Sequence, residues 1–334
     1  MKIVRTDREL QTPTVDEALK SVGHELLLLP DGVSEDELVE AVRDADLLLM
    51  CYTPVTARVI AAATRLKGIV KYGVGIDAID IGAARARGIP VVNIPEYAEE
   101  TVAEGAFALM IALAKKLKPL TVEMQARGWT WPEPRWLGGD IAGSTVGIVG
   151  FGRIGRSLAR MAGAGFRARV IAFDPNVGAN AMRAAGAEKA DNLHDLLEQG
   201  DFVSLHCVLT PETRGIIGVA EFAAMKPTAF LVNTSRGALV DEGALLAALA
   251  EGRIAGAGLD VFMDEPLRRE GHRLSPLFAM DNVILSPHLT FYTREAMTRL
   301  EAETLERCFE ILEGRPVTIK SSDPRLQGQR QGAM

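Results

Sequence analysis

Hydrophobic and polar positions fall in alternating blocks along the first hundred residues. Short apolar runs at 2–5, 25–29, 46–50, 68–72 and 90–93 each stop at turn or capping residues, the pattern of buried strands. Between them, 14–21, 34–43, 56–63 and 78–87 carry apolar residues at helical spacing. Ser34 with Glu37 makes a capping box, and Gly88 then Pro90 ends the last of these helices. Strands alternating with helices predict right-handed βαβ units and a parallel sheet. A longer helix is predicted over 101–118, apolar nearly all round, with Thr101 and Glu104 as its capping box and Lys115, Lys116 and Lys118 at its negative end. Residues 119–143 interrupt the alternation. A second series then runs through strands at 145–149, 170–173, 202–206, 229–233, 255–260 and 283–286 and helices at 153–164, 192–199, 219–225 and 241–251. A final helix over 293–313 ends at Gly314, and the polar tail from Lys320 is expected to fray. The pattern predicts an α/β chain of doubly wound parallel sheets.

A length of 334 residues suits two domains. With 37 basic against 44 acidic residues the net charge is −7, which argues against nucleic acid or a membrane surface as partner. Three cysteines lie far apart without a CxxC or a histidine at metal spacing, so no metal is expected and a reduced, cytoplasmic setting is. The N-terminal segment lacks the apolar stretch of a secretory signal, and the longest apolar run, 106–114, is too short to span a membrane. Trp129, Trp131 and Trp136 all fall in the interrupting segment. That segment either packs over its own chain or embraces a partner subunit.

Chemistry concentrates in the second half. Gly150, Gly152 and Gly155 spell GxGxxG directly after a predicted strand and at the start of a predicted helix. Glycines there permit a tight turn and close approach of backbone to a pyrophosphate. Asp174 ends the next strand, where a carboxylate accepts bonds from the adenosine ribose and repels a 2′-phosphate; this favours NAD over NADP. Alone, Asp174 is an ordinary turn residue ahead of Pro175. Three later strands end near Arg236, Glu265 and His288. A guanidinium grips a carboxylate bidentately. An imidazole exchanges protons near neutrality, and a carboxylate beside it favours its charged form. Taken singly, each is also an ordinary loop residue. His206, at another strand end, is placed to touch the dinucleotide.

The segments YGVGIDAID at 72–80, VGFGRIG at 149–155, LHCVLTPET at 205–213, VNTSRGALVD at 232–241, GLDVF at 258–262 and SPH at 286–288 resemble the D-isomer-specific 2-hydroxyacid dehydrogenases. The resemblance implies catalytic roles for Arg236, Glu265 and His288. It implies cofactor contacts at Gly150, Gly152, Arg153, Ile154, Gly155, Asp174, His206, Thr213, Thr234, Ser235, Asp260 and His288. It implies a substrate site at Tyr52, Tyr72, Gly73, Val74, Gly75 and Arg236. It further implies a Rossmann cofactor domain over 101–292, with an interface helix and arm at 101–143, inserted into a flavodoxin-like substrate domain of 1–100 and 293–334. A homodimer is implied too. Val208 replaces the family's usual proline. The stretch Cys51-Tyr52-Thr53-Pro54 lacks the basic residue of phosphoglycerate-using members, so an unphosphorylated acid is expected, and the length leaves no room for a regulatory domain. Residues 128–131 and 291–292 look most like the branch of the C-terminal-binding transcriptional corepressors and their bacterial relatives. The expected function is NAD-dependent hydride transfer to or from C2 of a small D-2-hydroxy or 2-oxo acid. The rivals are an NAD(H)-sensing interaction module of corepressor type and a D-3-phosphoglycerate dehydrogenase.

Overall fold

A computed structural model describes residues 1–329, and the chain divides into two compact units. One joins Met1–Ala98 to Thr293–Met334; the other is Glu99–Tyr292.

The first unit holds β1 (Lys2–Arg5), β2 (Glu25–Leu28), β3 (Leu47–Met50), β4 (Gly68–Lys71) and β5 (Val91–Asn93), all parallel in the order β2-β1-β3-β4-β5. β3 and β4 are buried throughout, as strands covered on both faces must be. The helix Arg294–Leu312 returns to this sheet, and a side chain at Gly68 would stand 2.7 Å from Ile311 Cδ1. Its Glu301 accepts the Thr14 N–H at 2.7 Å. From Lys320 to Gln329 the tail does not fray as expected; the rest of it lies outside the described residues. Leu326 is fully buried, and the Gln329 amide both accepts from Val91 N–H and donates to Val91 C=O. β5 is an edge strand, and a glutamine amide has the one donor and one acceptor that its open backbone lacks.

The second unit holds β6 (Thr145–Val149), β7 (Arg169–Phe173), β8 (Glu188–Lys189), β9 (Phe202–Leu205), β10 (Phe230–Asn233), β11 (Gly256–Leu259) and β12 (Val283–Leu285). These seven strands are parallel in the order β12-β11-β10-β9-β6-β7-β8. Chain direction across the sheet reverses between β6 and β9, the switch point at which doubly wound sheets bind ligands. The long helix starts at Glu99, so Thr101 is buried inside it instead of capping it. It stops at Ala114. Lys116 takes φ +50°, and a second helix, Leu117–Arg127, occupies what the sequence predicts as linker. Lys118 consequently leaves the helix end and donates to the carbonyls of Met280 and Val283. The short helix Ala179–Ala184 and two-residue β8 were not anticipated either. Gly258 gives the long helix room: a side chain there would stand 3.0 Å from Leu109 Cβ.

Trp129 and Trp131 meet edge to face at 6.1 Å and remain 63% and 73% exposed, so they do not pack over their own chain. No helix among the described residues is long and apolar enough to cross a membrane.

Candidate active site

Parallel pairing brings the carboxyl ends of β6, β7, β9, β10, β11 and β12 to one edge of the second unit's sheet. At β6, Gly150 adopts φ +92°, and a side chain there would stand 2.4 Å from Cys207 N. At Gly155 it would meet Gly150 O, also at 2.4 Å. Gly152, by contrast, faces open space and precedes the helix Arg153–Arg160 with no side-chain cap on it. Two glycines let the turn close, and the third keeps a helix N-terminus approachable by an anion.

Asp174, beyond β7, accepts from Phe151 N–H and from Asn176 N–H, each at 2.9 Å, which pins its carboxylate beside the glycine turn. Thr234, beyond β10, keeps a buried hydroxyl with no partner among the described residues. A closed glycine turn, a fixed carboxylate and an orphaned hydroxyl fit a dinucleotide. Arg153 stands half-exposed, 4.0 Å from Glu99, and Ile154 is half-buried beside it. His206 shares a 2.8 Å hydrogen bond with Ser204, and burial pushes its pKa down to about 4. Two hydroxyls are committed to the protein. Ser235 donates to Cys207 C=O at 2.7 Å, and Thr213 donates to Val208 C=O at 2.7 Å.

Asp260, expected as a cofactor contact, is bonded within the chain. Its carboxylate is fully buried at the end of β11 and accepts four bonds, from Ser286 Oγ (2.6 Å), Leu289 N–H (3.0 Å), Thr290 N–H (3.1 Å) and Thr290 Oγ (2.6 Å). Four bonds use up what a carboxylate accepts, so a cofactor would have to displace one. Those bonds fasten the segment around His288, which holds φ +57°. That conformation costs a non-glycine residue about 1–2 kcal/mol, and the Asp260 bonds offset it.

The structure brings His288 and Glu265 together. Nδ1 of His288 lies 2.9 Å from Glu265 Oε2, while Oε1 accepts the Phe262 N–H at 3.0 Å. Burial raises the Glu265 pKa. The hydrogen bond and charge of His288, the Phe262 N–H and Arg236 more than reverse that, leaving it below the usual carboxylate range. Arg236 bonds Ser235 C=O, and Asn233 Nδ2 holds Arg236's own carbonyl. Gly237 follows, where a side chain would overlap Phe262 at 2.0 Å. The Arg236 and Glu265 loops can touch only because residue 237 is glycine, a signal the sequence contains and the pattern reading missed.

Among the substrate candidates, which belong to the first unit apart from Arg236, Tyr72 points inward. Its ring is buried and its hydroxyl donates to Thr6 C=O at 2.5 Å, so its side chain is committed to the protein. Tyr52 is 40% exposed. Cys51-Tyr52-Thr53-Pro54 carries no cation of its own, yet Lys71 Nζ reaches it, 2.5 Å from Cys51 C=O and 5.4 Å from the Tyr52 ring centre. Asp7 braces the same stretch by accepting from the N–H groups of Cys51, Tyr52 and Thr53.

Residues 107–290 match the family model described as "D-isomer specific 2-hydroxyacid dehydrogenase, NAD binding domain". The chain belongs to this family. It is 37% identical over its whole length to a D-3-phosphoglycerate dehydrogenase of Methanocaldococcus jannaschii, of which it spans 62%. It spans about half (51%) of a Mycobacterium tuberculosis enzyme of the same name, at 42% identity over 83% of the chain. A glyoxylate reductase of Thermococcus litoralis is 43% identical, with 83% of both chains covered. Among solved structures, D-lactate dehydrogenase of Aquifex aeolicus, determined with NAD and lactic acid, superposes with a TM-score of 0.83 at 29% identity. That match covers 93% of this chain and 96% of the other. The family's NAD-binding domain thus coincides with the unit that carries the glycine turn, Asp174 and the His288–Glu265 pair.

Proposed function

We propose that this chain is an NAD-dependent oxidoreductase acting at C2 of a small, unphosphorylated D-2-hydroxy or 2-oxo acid. The observation that carries the reading is the 2.9 Å contact of His288 Nδ1 with Glu265, in a loop locked to that of Arg236 through Gly237. When bound, the nicotinamide supplies or accepts the hydride at C2. Gly150, Gly152, Gly155 and the start of the Arg153 helix would hold the pyrophosphate, and Asp174 the adenosine ribose. Glu265 occupies Nδ1 and holds the imidazolium, so His288 delivers the Nε2 proton to the carbonyl oxygen. In the reverse direction the neutral imidazole takes that proton from the hydroxyl. Arg236 grips the substrate carboxylate with two parallel N–H groups, fixing which face of C2 is presented.

Relatives named glyoxylate reductase that match most of both chains support a two- or three-carbon 2-oxo acid as substrate. The exposed tryptophan arm supports pairing of two copies, and the acidic balance supports neither nucleic acid nor membrane as partner. NADH oxidation followed across glyoxylate, pyruvate and hydroxypyruvate tests the reading; a flat panel overturns it. His288→Ala should lower kcat roughly 10²–10⁴-fold.

A second reading, D-3-phosphoglycerate oxidation, is favoured by one observation: Lys71 brings a cation to the Cys51–Tyr52 stretch. Phosphohydroxypyruvate reduced far better than hydroxypyruvate would select it.

A further inference from the structure

Residues 263–271 carry Glu265 away from the end of β11, and among the described residues they make no backbone-to-backbone hydrogen bond. Side chains set their course instead. Buried Glu242 holds both ends of the stretch, accepting from Met263 N–H at 2.7 Å and from Arg273 at 2.8 Å. Leu274, 1% exposed, anchors the far end in the core. One ring crosses the loop between these ends. His272 Nδ1 accepts Leu274 N–H at 3.0 Å, and its Nε2 lies 3.0 Å from Asp264 C=O. Ser275 steadies the backbone beneath the ring, its hydroxyl donating to His272 C=O at 2.6 Å and accepting His272 N–H at 3.2 Å.

These partners fix where the ring carries its proton. A backbone N–H only donates, so Nδ1 presents its lone pair to Leu274. A carbonyl only accepts, so Nε2 carries the hydrogen that Asp264 receives. The neutral Nε2–H tautomer is the one form of the ring that satisfies both. An imidazolium would turn an N–H against that of Leu274, and the other neutral tautomer would fail at both ends. The bond to Asp264 bears directly on Glu265. The Asp264 carbonyl and the Glu265 N–H belong to one planar peptide, so holding that carbonyl fixes where the Glu265 Cα sits. From there the Glu265 carboxylate spans Phe262 N–H at 3.0 Å and His288 Nδ1 at 2.9 Å. A carboxylate that keeps both bonds tolerates little drift in its own backbone.

We propose that His272 is a positioning residue for the acid–base pair, tying the Asp264–Glu265 peptide to the buried end of the loop and so holding Glu265 against His288. The proposal rests on the oxidoreductase reading above, in which that pair moves the proton, and His272 lies outside every role assigned there.

The test uses the full chain, and three variants separate the ring's two bonds. His272→Ala removes both. His272→Gln places an amide N–H where Nε2 stood and keeps the bond to Asp264, whereas His272→Asn is long enough only to accept from Leu274. Hydrogen exchange at the Phe262 amide, whose acceptor is Glu265, reports the carboxylate without turnover, with the amides of β11 as reference. Exchange there should quicken about tenfold or more in the alanine and asparagine variants. Their kcat for glyoxylate should fall by a similar factor with KM nearly held, and the glutamine variant should stay close to wild type. The fall of kcat/KM with rising pH should also move to lower pH in the alanine variant, because an imidazolium held less closely by its carboxylate gives up its proton sooner. A residue that only maintained the fold would lower kcat alike at every pH. Thermal melts and NADH affinity identify a misfolded variant, and the glutamine and asparagine pair then decides. Phe262 exchange and kcat equal in His272→Ala and wild type overturn the proposal, as does rescue by His272→Asn but not by His272→Gln. No 2-oxo acid reduced while Phe262 exchange follows the predicted order leaves the His272 clamp standing and overturns the oxidoreductase reading instead.

Discussion

His206 ends β9 with Ser204 as hydrogen-bond partner, and its burial has a consequence for stability. A histidine in the unfolded chain titrates near 6.5, whereas here burial pushes the pKa down to about 4. Between those values the unfolded chain binds a proton that the folded one does not. Stability from this site is therefore whole above 6.5, falls as pH drops and levels off below 4, by at most about 3 kcal/mol. His206→Gln should flatten the acid side of a melting-temperature profile, and curves that stay parallel to wild type would remove the argument. Other single residues differ in how far sequence announces them. Arg236, Glu265 and His288 are chemistry-bearing types at the carboxyl ends of predicted parallel strands, a place where function is expected. Lys71 and Asn93 are unremarkable ends of strands, and Tyr72 looks like a ligand contact until its ring is seen bonded to Thr6. Which way a strand-end side chain turns depends on the loop behind it. Gly73 at φ +150° decides that here, and no periodicity reports a dihedral.

At the scale of elements, strands were legible because short apolar runs bounded by turn residues can satisfy only a buried parallel sheet. The break at Lys116 was not: Pro119, in the first turn of the second helix, is compatible with one helix ending at Lys118, and nothing in the lysine-rich stretch marks a φ of +50° at residue 116. Ala179–Ala184 and β8 escaped because six and two residues are too few to establish a period. The segment 286–290 shows an element whose shape comes from one distant side chain. Asp260 accepts all four of its bonds from that segment and so sets where His288 stands. Asp260→Asn replaces one accepting oxygen with an amide that faces N–H or O–H donors, leaving buried groups unpaired. The expected outcome is a kcat lowered about a hundredfold or more with NADH affinity held within a fewfold. NADH affinity falling in step with kcat would instead make Asp260 chiefly a cofactor contact. Gly152→Ala is the complementary case. Its side chain meets nothing among the described residues, so the melting temperature should hold while NADH binding weakens.

For the whole molecule, the chain leaves its first unit after Ala98 and re-enters it at Thr293. The consequence is unequal independence. The second unit is one continuous stretch with its own seven-stranded sheet, and its core clusters draw only on residues between 103 and 285. Buried Glu242 inside it is satisfied from within, accepting from Met263 N–H and Arg273. The first unit is closed by its last part. Ile311 sits in the space left by Gly68, Arg307 pairs with Glu310 under cover, and Leu326 completes the core that holds Val4 and Ile69. Removing residues 293–334 would expose the face of β4 and leave Thr14 N–H without Glu301. A fragment of residues 99–292 should therefore melt cooperatively and quench its tryptophan fluorescence on binding NADH. A fragment of 1–292 should show that same transition, with the first unit contributing little or no cooperative signal. If 99–292 is unfolded alone, or if 1–292 melts like the full chain, the continuous unit does not carry its own fold and the closing role of the last helix is wrong.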